Sequence, residues 1–266
     1  MKTLIKLLLA GWFLSGVVLG GTNLSQTLAV TKTDLSDRGG LARPGALAGC
    51  IACGHGMCVT VDGRSSILTS LDGTAWTRQA ISNPFALYAI AFGNGVFVAV
   101  GNEGIIITSP DGFHWTPRNS DTDERLRGVA WGNGRFAAVG YAGTVVTSTD
   151  GVRWTKQYVE TEERLQAIAF GDGIFVAVGW HGEIVTSARG HIWRRRKSGT
   201  MGHLLTVSYA DGVFMAAGPN SALLTSLNGR SWNRRAEEKN TEIAGSTAVG
   251  SENGPQAAKE ALGGDL

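Results

Sequence analysis

Two acidic clusters in this chain each end in an arginine and stand 39 residues apart: Asp121, Asp123, Glu124 and Arg125, then Glu160, Glu162, Glu163 and Arg164. Paired carboxylates can hydrolyse glycosides, one donating a proton while the other attacks or activates water. Glu124 and Glu163 recur at one repeat position beside Arg125 and Arg164. Recurrence reads as ion pairing between repeats rather than as a unique catalytic pair, so no catalytic residue is assigned. Of the five histidines, His181 and His203 are the conceivable metal pair, but the five do not cluster in sequence. No metal and no cofactor are expected. Arg194-Arg195-Arg196-Lys197 forms a basic run that suits an anionic partner or, more simply, a solvated and edge-protecting strand. The chain carries 24 Lys and Arg against 22 Asp and Glu. Removal of Lys2 and Lys6 with a leader would leave it near neutrality, a poor balance for binding nucleic acid.

These groups must be positioned by the elements between them, and those elements repeat. Trp76, Trp115, Trp154, Trp193 and Trp232 stand 39 residues apart, with a serine six places before each and a glycine three before. Such an array stacks each unit on its neighbours, because one unit cannot bury its own apolar face. The third copy opens with Val129-Ala130-Trp131, turns at Gly132-Asn133-Gly134, and continues with Phe136 to Val139. Asn-Gly tolerates positive φ at both central positions and predicts a β-hairpin. Gly140-Tyr141-Ala142-Gly143 turns the chain again, Val145-Val146-Thr147 follows, and a fourth strand carries Trp154. Nothing has helical spacing. Runs such as Val96 to Val100 are apolar on both faces, so both faces must be covered. The prediction is all-β: a five-bladed β-propeller of four-stranded antiparallel blades. The alternative is six blades, with a degenerate blade closed by the termini.

The turns SLDGTAW, SPDGFHW and STDGVRW resemble the Asp-box, the bacterial neuraminidase repeat; SARGHIW and SLNGRSW are weaker versions. The resemblance implies that the element joins the third and fourth strands of a blade. Asp72, Asp111, Asp150 and Asn228 then hold turn amides, while Trp76, Trp115, Trp154, Trp193 and Trp232 pack on the sheet. Arg189 offers no acceptor, so the fourth turn is expected to be held another way. Whole repeats also look like sialidase-superfamily proteins and the photosystem II assembly-factor group, which include both enzymes and non-enzymatic assembly factors. A sialidase-like site needs an arginine cluster, a tyrosine nucleophile with its glutamate, and an acid. Tyr88, Tyr141, Tyr158 and Tyr209 sit in no motif matching that family.

Cys53 stands where other copies have Phe92, Trp131 and Phe170, and Cys58 where they have Phe97, Phe136 and Phe175. Both are therefore expected as small buried hydrophobes rather than zinc ligands, with one disulfide available after export. Residues 1–20 read as a signal peptide: two lysines, an apolar stretch too short for a comfortable membrane span, then small residues. Without cleavage the same segment would be a membrane anchor. Leu47-Ala48-Gly49-Cys50 matches a lipobox but lies far from the apolar stretch. Residues 21–47 form a linker or a closing strand (Thr27 to Thr31), 48–235 the propeller, and 236–266 a disordered tail.

Chain order puts the Gly-Asn-Gly hairpins and the Ser-x-Asp-Gly turns on one rim. The second-to-third-strand turns and the inter-repeat connections share the other. The first rim barely varies between copies and suits structure; the second varies and suits recognition. The candidate binding residues are Tyr141, Trp180, His181, Asn102, Glu103, Asn220 and Arg127, with Tyr88, Gln166 and Leu205 beside the channel. The expected molecule is an exported monomer, periplasmic or secreted, that binds a protein or carbohydrate partner. It makes no contact with nucleic acid, and meets a membrane only through an uncleaved N-terminus. The rival is an extracytoplasmic glycoside hydrolase of sialidase-like architecture.

Overall fold

Tight turns decide the topology. Asn94, Asn133, Asp172 and Asp211 adopt φ of 46–51°, and the glycine after each adopts 69–78°. Two successive left-handed residues match the twist of antiparallel strands, so each pair closes a hairpin. A computed structural model describes residues 51–79, 81, 84–219 and 223–235, with Val18–Leu19. Asn220, Cys50, Thr27 to Thr31 and the C-terminal tail lie outside the described residues.

Five antiparallel sheets follow one another along the chain, each in simple up-and-down order. Blade three is representative: Leu126–Gly132, Arg135–Gly140, Val145–Ser148 and Thr155–Gln157. Blades two, four and five repeat this pattern, with first strands Leu87–Gly93, Leu165–Gly171 and Thr206–Ala210. Blade one, beginning at Ile51–Gly54, gains a fifth short strand: Val18–Leu19 pairs in parallel with Ala52 and Cys53. The chain is thus an all-β, five-bladed propeller of four-stranded antiparallel blades. Its helical content among the described residues is two single 3-10 turns, Asn102–Gly104 and Trp180–Gly182.

Four apolar cores lie between successive blades. Between blades two and three, Ala91, Val98 and Val100 meet Phe136, Ala138 and Val146, and Trp154 fills the rim. Trp115, Trp193 and Trp232 take the same place at the other three junctions. Trp76, in the first blade, belongs to none of these cores among the described residues.

Each junction is also keyed by an aromatic ring set against a glycine. A Cβ built on Gly132 would fall 2.1 Å from the ring of Phe170 in the next blade. Gly54, Gly93 and Gly171 are covered likewise by Phe92, Trp131 and Tyr209. Each of these rings packs in turn on a fully buried phenylalanine of its own second strand; Phe170 and Phe175 have centroids 4.7 Å apart. In blade one the ring pair is replaced by a disulfide. Cys53 and Cys58 face each other across the hairpin with Cα atoms 4.0 Å apart. They are covalently joined and half-buried, not the small buried hydrophobes the register predicted.

The ends of the array differ from its middle. First-strand packing runs from blade one through blade five, and none of that extent joins Thr206–Ala210 back to Ile51–Gly54 among the described residues. Met215 and Ala217 on the outward face of blade five are half-buried, whereas Val98, Val100, Ala137 and Val139 in the same register are fully buried.

The Ser-x-Asp-Gly turns carry a fixed hydrogen-bond set. Asp150 Oδ1 accepts the N–H groups of Val152 and Arg153 at 2.8 and 2.9 Å, and Ser148 Oγ accepts Gly151 N–H at 2.8 Å. The Trp154 indole N–H donates to Gly151 O. These backbone donors hold the carboxyls of Asp72 and Asp111 well below their ordinary range near 3.8 and lower that of Asp150. The amides they hold are exposed rather than buried, because they lie on the rim.

Four outcomes are expected. Gly132→Ala should cost about 1–3 kcal/mol by overpacking, and Trp154→Ala about 3–5 kcal/mol. Gly134→Ala, with nothing near its would-be Cβ, should cost only about 1–2 kcal/mol of left-handed strain. A carboxyl whose folded-state pKa lies below its unfolded value stabilises fully above the unfolded value and loses that stabilisation as pH falls through the folded one. The melting temperature should therefore drop as pH falls from about 4 toward 2, with a shallower drop in Asp150→Asn. Denaturant unfolding and thermal melts across pH check all four.

Candidate functional site

The opposite rim is built by a second set of turns. In blades two, three and four the leading amide of the second-to-third-strand turn donates to the carbonyl just before that blade's first strand. Tyr141 N–H donates to Arg125 O and Trp180 N–H to Arg164 O, both at 3.0 Å, and Asn102 N–H to Ala86 O at 2.9 Å. Glycine must precede each turn, since a Cβ on Gly140 or Gly179 would lie 2.1 Å from that carbonyl oxygen. One hydrogen bond therefore brings the residue at the top of the turn beside the residue that enters the blade. The next turn residue is left-handed without being glycine: Glu103, Ala142 and His181 have φ of 50–52°. Backbone of that kind costs free energy and concentrates at functional surfaces.

The result is a ladder of alternating rings and guanidinium groups across blades two to five. Arg127 lies 4.2 Å over the Tyr88 ring. Arg125 lies 5.8 Å from Tyr88 and 5.1 Å from Tyr141. Arg164 sits between the rings of Tyr141 and Trp180, at 4.6 and 4.3 Å. Trp180 stacks on His203 with centroids 4.7 Å apart and 21° between planes. His181 stands edge-on to His203, its Nδ1 is 2.9 Å from Glu163 Oε2, and its backbone N–H donates to His203 Nδ1 at 3.1 Å. Tyr88 donates to Asn102 Oδ1, and Arg127 Nε to Gln166 Oε1. Each cation is held near 4–6 Å over an aromatic face, a geometry worth about 0.5–2 kcal/mol per pair.

Tyr141, Trp180, His181, Asn102 and Arg127 thus fall into one connected group, together with Tyr88 and Gln166. Glu103 is exposed on the same rim, and Leu205 is 38% exposed beside it. Arg125 and Arg164 do not pair with carboxylates among the described residues, contrary to the expectation of inter-repeat ion pairs; Glu163 is taken by His181. His203 entered the sequence reading only as a metal ligand. Its register shows its place, for Arg125, Arg164 and His203 follow one another at the repeat step. No cluster of three metal-ligating side chains occurs among the described residues. The ladder presents three guanidinium groups without carboxylate partners among the described residues. It can therefore receive an anionic group and lay a flat or apolar one against the rings.

No family model and no curated protein matches the chain. Solved structures do. A YCF48 structure from Cyanidioschyzon merolae is 18% identical with a TM-score of 0.53, over 70% of this chain and 71% of that one. A structure titled YCF48 bound to D1 peptide is 20% identical with a TM-score of 0.53, over 69% of this chain and 64% of that one. A GH74 enzyme from Niastella koreensis is 18% identical with a TM-score of 0.53, over 70% of this chain but 31% of its own. The likeness is one of fold, and peptide-binding and hydrolytic proteins share it.

Ala142 has φ of 50° in an exposed turn. Ala142→Gly should leave stability unchanged or raise it by up to about 1 kcal/mol, whereas Ala142→Val should lower it by about 1–2 kcal/mol. Chemical denaturation of the two variants checks the assignment.

Proposed function

We propose that this chain is an exported, non-catalytic propeller that binds a protein partner through the Tyr141–Trp180 rim. The ligand is an extended peptide segment carrying at least one carboxylate. The observation that carries the reading is the ring and guanidinium ladder, with Arg125, Arg127 and Arg164 lacking carboxylate partners among the described residues. A propeller of the same fold is titled as bound to a peptide, which supports the class of ligand. Short turns on rigid strands present these side chains at low entropic cost. Hydrolysis is the weaker reading, because cations rather than a pair of carboxylates dominate the rim.

In the same proposal the Ser-x-Asp-Gly-x-x-Trp turn is an Asp-box, residues 1–20 are a signal whose cleavage takes the Val18–Leu19 strand away from blade one, and the protein acts as a monomer in the periplasm or outside the cell. The cross-strand disulfide supports an oxidising destination.

The test uses labelled peptides and the mature chain in fluorescence anisotropy. Acidic peptides should bind, with affinity falling as salt rises. Tyr141→Ala with Trp180→Ala should keep the melting transition and weaken binding at least about tenfold, or about 1.4 kcal/mol. Arg164→Ala should weaken acidic peptides more than their amidated counterparts. Equal affinity for acidic and neutral peptides, or unchanged binding in the double variant, would refute the reading.

A further inference from the structure

The fourth Ser-x-Asp-Gly turn has the shape of its siblings without their acid. Position 189 is arginine where the other copies carry Asp72, Asp111, Asp150 and Asn228. The path of the turn is nonetheless kept. Gly190 has φ of 77°, against 68–78° in the other four glycines. Ser187 Oγ accepts Gly190 N–H at 2.8 Å, and the Trp193 indole N–H donates to Gly190 O at 3.0 Å. In every other copy one side-chain oxygen accepts two successive backbone N–H groups at 2.8–3.0 Å. In the fourth copy the same two donors, on His191 and Ile192, have no acceptor among the described residues. They remain aimed at the point where a carboxylate oxygen would sit.

That point lies in a cationic cleft. The cleft has a volume of about 320 Å³, and Arg189, Arg194, Arg196 and Arg230 line it beside the turn. No acidic residue is among its lining groups. The triple-arginine strand divides its side chains by alternation. Arg195 turns to the other sheet face and is bound bidentately by buried Glu183, at 2.8 and 2.7 Å. Arg194 and Arg196 are left on the cleft side. Arg196 donates from Nε to Thr186 Oγ1 and meets no carboxylate among the described residues. Burial, then the like charges of Arg230 and Arg194, pull its guanidinium below the ordinary arginine range. Arg189, Arg194 and Arg230 are exposed and Arg196 half-buried, so an anion held by the two amides would offset both the burial of Arg196 and its repulsion by Arg230 and Arg194.

We propose that this cleft binds a phosphate-type oxyanion, whose oxygen takes the place of the missing Asp carboxylate on the His191 and Ile192 amides while the arginines close around it. A dianion suits four guanidinium groups better than a single carboxylate would. The site belongs to the rim opposite the peptide-binding one and does not depend on that reading. The oxyanion comes either from solution, as inorganic phosphate, or from the headgroup of a phosphomonoester lipid.

The experiment compares wild type, Arg189→Asp and the double variant Arg194→Gln with Arg230→Gln. Each is melted with inorganic phosphate or with chloride at equal ionic strength. Wild type should gain about 3 °C or more at saturating phosphate. Arg189→Asp supplies its own acceptor, so it should melt higher than wild type without phosphate and show no further gain. The double variant alters two exposed arginines; it should keep the basal melting temperature and bind phosphate at least tenfold more weakly in calorimetry. Sedimentation with phosphatidylcholine vesicles, with and without phosphatidic acid, separates the sources. Binding to phosphatidic acid that inorganic phosphate displaces assigns the headgroup; phosphate binding without vesicle binding assigns the solute. A wild type indifferent to phosphate, or an Arg189→Asp variant that responds as wild type does, overturns the proposal.

Discussion

A ring laid on a glycine holds this molecule in order. At every junction between blades an aromatic side chain from one first strand occupies the space a Cβ would need on the strand before it: Phe92 on Gly54, Trp131 on Gly93, Phe170 on Gly132, Tyr209 on Gly171. The contact sets how closely two sheets approach and in which register. The apolar cores between blades, the seating of the rim tryptophans and the spacing of both sets of turns follow from that approach. Packing density makes the arrangement intolerant, since a single methyl group has nowhere to go. Where the ring pair is absent, in the first blade, a covalent bond between Cys53 and Cys58 spans the same hairpin.

Each blade divides its work between two rims. On one, Ser148, Asp150, Gly151 and Trp154 and their counterparts bond to their own turns and to the neighbouring sheet, so the same residues recur. On the other, the turns of blades two, three and four need only a glycine and one backbone hydrogen bond to the start of the blade. Their side chains are released from structural duty, which is why Asn102, Tyr141 and Trp180 differ at one repeat position. That hydrogen bond also fixes which residues meet: the residue entering the blade lies beside the residue topping the turn. The ladder of Arg125, Tyr141, Arg164 and Trp180 is thus a consequence of backbone geometry filled with chosen side chains.

Most of the fold was legible because its signals are local and repeated. The 39-residue step, the hairpins with glycine at their second turn position and the apolar second strands each state one requirement several times over. The position of the candidate site was legible too, from the contrast between a constant rim and a variable one. The partners of Arg125 and Arg164 were not. An acid and an arginine recurring at the repeat step suggest ion pairs between repeats, yet the guanidinium groups turned to rings 16 residues away and Glu163 to His181. The disulfide was open to the sequence as a possibility after export, but the burial was misjudged: register gave Cys53 and Cys58 a core address, whereas among the described residues no earlier blade covers them and they are only half-buried. The amides of the fourth Ser-x-Asp-Gly turn were visible only as a lost acid; their aim depends on Ser187 and Trp193 keeping the turn in shape.

The half-buried outer face of blade five, with Met215 and Ala217, bears on how the molecule comes apart. Among the described residues a blade in the middle of the array is clamped on both sides, whereas an end blade is clamped extensively on one. Opening therefore proceeds like a zipper from its ends, each step releasing one sheet and exposing the next. Amide protection against solvent exchange should be graded accordingly, deepest in blade three and shallowest in blades one and five. The cross-strand disulfide tethers the hairpin of one of the two end blades. The rim ladder, running from blade two to blade five, crosses the array, so a ligand gripping Tyr141 and His203 together would tie the central blade to the entry of an end blade.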